Sequence, residues 1–166
     1  IDGIAALVKE YQQSGDKGSE RARRILAKIA VLCSFIKRRK HLALSNYKDY
    51  RIPAEELRSA FRESMQTLEL LDVSHSFYFA ETELLDGSEA TALYDFFEDV
   101  IEAALDSLRS VNVRISRIGG RRRIAVTLEC EAELSALARD YPGAELDNDE
   151  GEWTCLLTLG TGGEGR

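Results

Sequence analysis

The sequence predicts an α+β fold, a helical hairpin followed by a two-layer α/β sandwich with a mixed sheet, on three observations. An apolar stripe of Ala22, Ile25, Leu26, Ile29, Leu32, Cys33 and Ile36 returns every three or four residues, the mark of a long amphipathic helix. Val111 to Ile118 alternates apolar and polar residues, Gly119-Gly120 turns the chain, and Ile124 to Cys130 returns, as in a β-hairpin. Before that hairpin, Leu93, Phe96, Phe97, Val100, Ile101, Ala104, Leu105 and Leu108 fall on one helical face. Helices and strands interleaved in this way are expected to cover one face of a mixed sheet.

Ile1 to Gln13 carries Ile4, Leu7, Val8 and Tyr11 at helical spacing and stops at the loop Ser14 to Gly18. The second helix runs from Ser19 to about Leu44, and the five-residue link folds the pair into an antiparallel hairpin. Two helices alone cannot close a core around the stripe. A second copy would close it as a four-helix dimer; packing onto the residues that follow is the alternative. Ser45 to Arg51 is polar, so the domains are expected at 1–48, a dimerisation hairpin, and 49–166, an α/β body. Ile52-Pro53-Ala54-Glu55-Glu56 starts a helix with proline in its first turn and early acids, ending near Leu71-Asp72-Val73. His75 to Leu84 reads as a strand, and Gly87-Ser88-Glu89 caps the long helix. After the hairpin, a short helix is expected from Glu131 to Arg139, a break at Pro142-Gly143, a turn at Asp147 to Gly151 and a last strand from Trp153 to Leu159.

The 166 residues are 44% hydrophobic and 31% charged, a foldable balance. A net charge of -7 argues against nucleic acid, whose binding draws on accumulated Lys and Arg. Two basic patches, Lys37 to Lys40 and Arg121 to Arg123, read as solvated, with an acidic partner as the alternative. Cys33, Cys130 and Cys155 have no zinc spacing and read as buried, reduced thiols. No apolar run is long enough to cross a membrane. The chain begins at Ile1, so a fragment is expected, with any membrane or sensory part upstream.

The stretch Arg21 to Leu44, with its Ile36-Lys-Arg-Arg end, and the helix Ala92-Leu-Tyr-Asp-Phe-Phe-Glu-Asp-Val-Ile-Glu102 together resemble the C-terminal region of bacterial sensor histidine kinases. The resemblance covers nearly the whole chain. It implies a dimerising hairpin able to hold a phosphorylated histidine, and a GHKL-type ATPase domain that binds ATP and magnesium. The asparagine slot that reaches magnesium falls on Asp99 or Glu102, with Glu98 at the preceding acidic position; a solvated acidic face is the alternative. Where the Asp-x-Gly-x-Gly loop belongs, Cys130 to Ala138 contains no glycine, and backbone there cannot easily wrap a base. Gly160 to Gly165 reads as a loose terminus.

His41, flanked by Arg39 and Lys40, occupies the kind of place where a phosphoacceptor would sit, although Leu42 stands where an acidic neighbour usually follows; an ordinary surface histidine is the alternative. His75 is the weaker candidate. The expectation is a cytoplasmic signalling module, the cytoplasmic part of a membrane-anchored sensor, that forms a homodimer, needs no cofactor and meets a response-regulator receiver domain. The alternatives are an active kinase using ATP and magnesium through Asp99, Glu102 and Glu98, or an ATP-independent phosphotransferase acting through His41.

Overall fold

The structure, a computed structural model, describes residues 2–44 and 50–160. Most of the polar boundary at 45–49 and the glycine-rich tail at 161–166 lie outside the described residues. The first two helices are α1, Asp2–Gln13, and α2, Glu20–Leu44. Ser19 accepts from the Ala22 amide at 3.2 Å and so caps α2.

After β1 (Arg51–Pro53), Pro53 stands at the N-cap of α3 (Ala54–Thr67) with φ -57°. A 3-10 turn, Leu68–Leu71, ends at Asp72 in the left-handed region. The strand expected from His75 to Leu84 is two pieces, β2 (Ser74–Phe79) and β3 (Leu84–Asp86). Arg58 of α3 divides them: its Nε donates to the Phe79 carbonyl at 3.1 Å and its Nη2 to the Glu81 carbonyl, drawing the chain out of the sheet. β3 then pairs antiparallel with β1 in a small ribbon. The N-cap of α4 (Gly87–Ala104) is Asp86, whose carboxylate accepts from the Ser88 amide.

The hairpin is β4 (Ser110–Ile118) and β5 (Arg121–Glu129), joined through Gly119 and Gly120, both with positive φ, as a tight two-residue turn requires. The helix expected from Glu131 to Arg139 shrinks to α5 (Leu137–Asp140). Residues ahead of it are held as irregular backbone by Trp153, whose indole donates to the Ala132 carbonyl at 3.1 Å. The turn expected at Asp147 to Gly151 narrows to Glu150-Gly151, and the residues before it form β6 (Ala144–Asp149), paired with β7 (Glu152–Thr158).

The main sheet runs β2-β4-β5-β7-β6, with β2 parallel to β4 and the other neighbours antiparallel. Strand alternation sends Val111, Val113, Ile115, Ile124, Val126, Leu128, Trp153 and Cys155 to one buried face. α3 and α4 cover it through an aromatic cluster: Phe61 stacks on Phe77 with centroids 5.0 Å apart and meets Tyr94 and Phe97. The Tyr94 hydroxyl shares a hydrogen bond with buried Ser64 at 2.7 Å, so the burial of its ring strands no polar group. Phe61, Tyr94 and Phe97, all fully buried, each contribute about 1.5–3 kcal/mol by leaving water.

α2 lies over α3 and α4 as a third layer. Ala22, Ile25, Val31, Leu32, Phe35 and Leu42 are buried, and Phe35 meets Phe97 at 5.5 Å. Part of the stripe therefore packs within the chain, centred on Val31 and Phe35; Leu26 and Cys33 remain exposed. Cys33 thus departs from the buried thiol expected of it, while Cys130 and Cys155 are buried. Of the second basic patch, Arg122 is not solvated: β5 alternation turns it inward, 6% exposed, onto Glu81 and Glu89.

Candidate functional site

The side of α4 turned away from the sheet carries a ladder of acids, Asp95, Glu98, Asp99 and Glu102, one or two turns apart on neighbouring faces. Its apolar side is fixed on the sheet by Phe96, Phe97, Val100 and Ile101, so these carboxylates must point toward whatever crosses above. Two elements cross there. From α2 comes Arg39, one turn beyond Phe35 on the inward face; its Nε lies 2.9 Å from Asp95 Oδ1 and its Nη1 3.7 Å from Glu98 Oε2. From the segment between β5 and β6 comes Tyr141, whose hydroxyl donates to Asp99 Oδ2 at 2.5 Å while its ring meets Phe96 edge-on at 5.0 Å.

Glu98 is 3% exposed and its Oε2 has no hydrogen bond. Burial pushes its carboxyl up to about 7; Arg39 opposes that rise, and Asp99, Asp95 and Glu102 add to it. Asp95 is raised as well, by burial and against the pull of Arg39. Burial and the bond to Asp99 raise the Tyr141 phenol. Arg39 loses hydration by burial, yet Asp95, Glu98 and Asp99 more than restore its preference for the charged form. A cavity of about 240 Å³ remains between α1, α2 and α4, bounded by Ile4, Leu32, Ile36, Arg39, Glu98 and Glu102. α1 closes one side of it so tightly that a Cβ on Gly3 would sit 3.3 Å from Glu102 Oε1.

Glu98, Asp99 and Glu102 therefore do share one place, and the expectation that these acids form a solvated face fails for Glu98. The residues fit magnesium poorly. Asp99 is taken by a phenol, Asp95 by a guanidinium, and burial holds the Glu98 carboxyl up at about 7, whereas magnesium demands several ionised or carbonyl oxygens in octahedral array. Among the described residues no group of three or more His, Cys, Asp or Glu is arranged to hold a metal ion. Where a glycine loop would admit adenine, Cys130 to Tyr141 is instead a packed strap, with Leu134 and Leu137 in the core.

His41 sits near the end of α2 with its side chain 61% exposed, and Nε2 lies 2.9 Å from Glu56 Oε1 of α3. The acidic neighbour missing at Leu42 is thus supplied from another helix, which sequence adjacency does not reveal. Arg39, which flanks His41 in the sequence, faces α4 instead. His75 of β2 lies 3.0 Å from Glu69 and apart from α4. Tyr141 had no signal in the sequence. Arg39 had one, since Leu32, Phe35 and Arg39 recur at helical spacing, but its charge pointed to solvent.

No protein-family model and no curated protein sequence matches the chain. Solved structures do match in fold. The histidine kinase domain of the blue-light-activated histidine kinase of Erythrobacter litoralis covers 94% of this chain and 84% of its own, with TM-score 0.53 and 14% identity. The Acinetobacter baumannii histidine kinase AdeS covers 98% and 95%, with TM-score 0.51 and 8% identity. A bacterial phosphotransferase covers 94% and 86%, with TM-score 0.50 and 12% identity. The chain has the fold of histidine kinase domains, hairpin and ATPase-like sandwich together.

Proposed function

We propose that this chain is a two-component signalling module in which residues 1–48 dimerise and residues 49–166 form an ATPase-like body that does not bind ATP. The observation that supports this reading is the filling of the α4 acid ladder from within, by Arg39 on one side and Tyr141 on the other. A magnesium-bound triphosphate would have to displace both. The same contact couples hairpin to body: any rotation of α2 moves Arg39 against Asp95 and Glu98, so a displacement in the hairpin reaches α4 directly. In this reading the module is cytoplasmic and relays a signal from a sensory region outside these residues to a receiver domain. Among the described residues no helix is long and apolar enough to cross a membrane.

The test is a calorimetric titration of the purified chain with ATP and magnesium, beside Asp99→Ala and Glu102→Ala. The expected outcome is no saturable heat up to millimolar nucleotide. Saturable binding that either substitution abolishes would overturn the reading and restore the kinase with ATP and magnesium as its cofactors.

A second reading, an ATP-independent phosphotransferase, is favoured by His41, exposed and paired with Glu56. A carboxylate on an imidazole nitrogen fixes the tautomer and orientation of the ring. One of the solved structures of the same fold is a bacterial phosphotransferase. Radiolabelled phosphate passed from a phosphorylated receiver to the chain, and lost in His41→Ala, would support it; transfer undiminished in that variant would remove His41 from the mechanism.

A further inference from the structure

The two edges of the main sheet are unlike. β6 is guarded by Glu145, Asp147 and Asp149, so a second β6 laid against it would bring carboxylates together. β2, Ser-His-Ser-Phe-Tyr-Phe, carries no Asp, Glu, Lys or Arg and no proline, and among the described residues its neighbour in the sheet is β4 alone. It has the composition of a strand that pairs readily. Its backbone direction is fixed by two hydrogen bonds. The Ser74 amide donates toward the β4 side, to the Arg109 carbonyl at 3.2 Å, whereas the Phe79 carbonyl turns outward to Arg58 at 3.1 Å. In a parallel pair successive residues alternate sides, so His75 and Phe77 present their N–H and C=O groups to the open edge.

Beside that edge, between α3 and β2, runs a groove of about 220 Å³ lined by Arg62, Met65, Gln66, His75, Ser76 and Phe77. α3 passes β2 in a definite order. Glu69, just beyond α3, stands level with His75 at 3.0 Å, Arg58 stands level with Phe79, and Arg62 lies between, near Phe77.

We propose that the open edge of β2 pairs antiparallel with the β2 edge of a second copy, about a two-fold axis through Ser76. This interface is separate from the helical hairpin and independent of it. The register follows from the outward groups. His75 of one copy exchanges two hydrogen bonds with Phe77 of its mate, Phe77 does the same with His75, and Ser76 faces Ser76 in the close pair between them. The same axis brings Arg62 of each copy level with Glu69 of the other. Those charges are opposite and available: Arg62 is 60% exposed and reaches Glu55 only at 3.6 Å, and Glu69 is 68% exposed. A second copy is the fitting occupant because the strand and its flanking charges complement themselves, as a two-fold contact demands.

The axis makes the test specific. In a Cys33→Ser background, where the remaining Cys130 and Cys155 are buried, Ser76→Cys chains should oxidise to a disulfide-linked dimer. Directly opposed residues of the close pair have Cα atoms about 4.5 Å apart, within disulfide range. Tyr78→Cys chains alone should not cross-link, because residues two positions either side of the axis are separated by about 13 Å along the strand. A mixture of Ser74→Cys and Tyr78→Cys chains should cross-link as a heterodimer, since those positions oppose one another. The expected rate for Ser76→Cys is at least about tenfold above that of Tyr78→Cys, because pairing raises the effective thiol concentration. No Ser76 dimer, or equal yields from Ser76→Cys and Tyr78→Cys, overturns the proposal. A dimer formed through the hairpin alone leaves the two Ser76 residues on separate edges and gives that overturning result.

Discussion

Replacing Arg122 with methionine removes the cation from an enclosed charge network while keeping most of the side-chain volume. Arg122 is 7% exposed in its side chain; its Nε and Nη2 reach Glu81 Oε2 at 2.9 and 2.8 Å, and its Nη1 also holds Glu89. Breaking a buried pair from one side costs about 3–5 kcal/mol, because a buried charge is left alone. Two features lower that figure here. Arg117 still meets Glu81 Oε1 at 2.6 Å, and Glu89 is 29% exposed and recovers part of its hydration. The expected loss is therefore about 2–3 kcal/mol, at or just below the low end of that range. It is read from urea unfolding midpoints at unchanged slope. Pairing the substitution with Glu81→Gln closes a double-mutant cycle, and the two losses should fall short of additive by about 1 kcal/mol or more. A loss below about 0.5 kcal/mol with strict additivity would refute the reasoning, because that is the behaviour of a solvated surface pair.

Glu98→Gln tests the acid ladder through pH. A carboxyl raised to about 7 in the folded chain from an ordinary 4.5 binds more protons folded than unfolded. Its contribution is therefore fully present below pH 4.5 and lost as pH rises through 7. The loss has a ceiling on the order of 3 kcal/mol, and glutamine should flatten that part of the curve; parallel slopes in the two proteins would count against it. Asp86→Ala should cost about 1 kcal/mol by uncapping α4, measured by urea unfolding, with a negligible change showing that the Ser88 amide finds water instead.

The parts of the fold legible in the sequence are those whose periodicity is strong and local. α4 carries Leu93, Phe96, Phe97, Val100, Ile101 and Ala104 on one face, and β4 and β5 alternate around two glycines, so no long-range knowledge is needed. β6 is hidden because an edge strand facing solvent can be acidic throughout, and Asp-Asn-Asp looks like a turn. β1 and β3 are three residues each, too short to show a period, and β3 is set apart from β2 where Arg58 draws the chain out of the sheet. Arg122 looked solvated because its neighbours are arginines, although counting back by twos from Leu128, Val126 and Ile124 places it inside. In the candidate site, helical spacing was enough to group Glu98, Asp99 and Glu102. Their partners Arg39 and Tyr141 come from distant parts of the chain, and so does Glu56 beside His41; only the packing of α2 and of the strap brings them in.

The parallel pairing of β2 with β4 bears on the order in which the molecule assembles. β4 and β5 meet across two residues, and β6 and β7 likewise, so those contacts close quickly. β2 reaches its sheet neighbour only after β3 and α4 have been crossed, a non-local step of the kind that slows folding. A chain made from its N-terminus exposes this aromatic strand before β4 exists. Phe61, already synthesised on α3, can cover Phe77 during that interval, which gives their stacked rings a protective role in folding before they become part of a finished core.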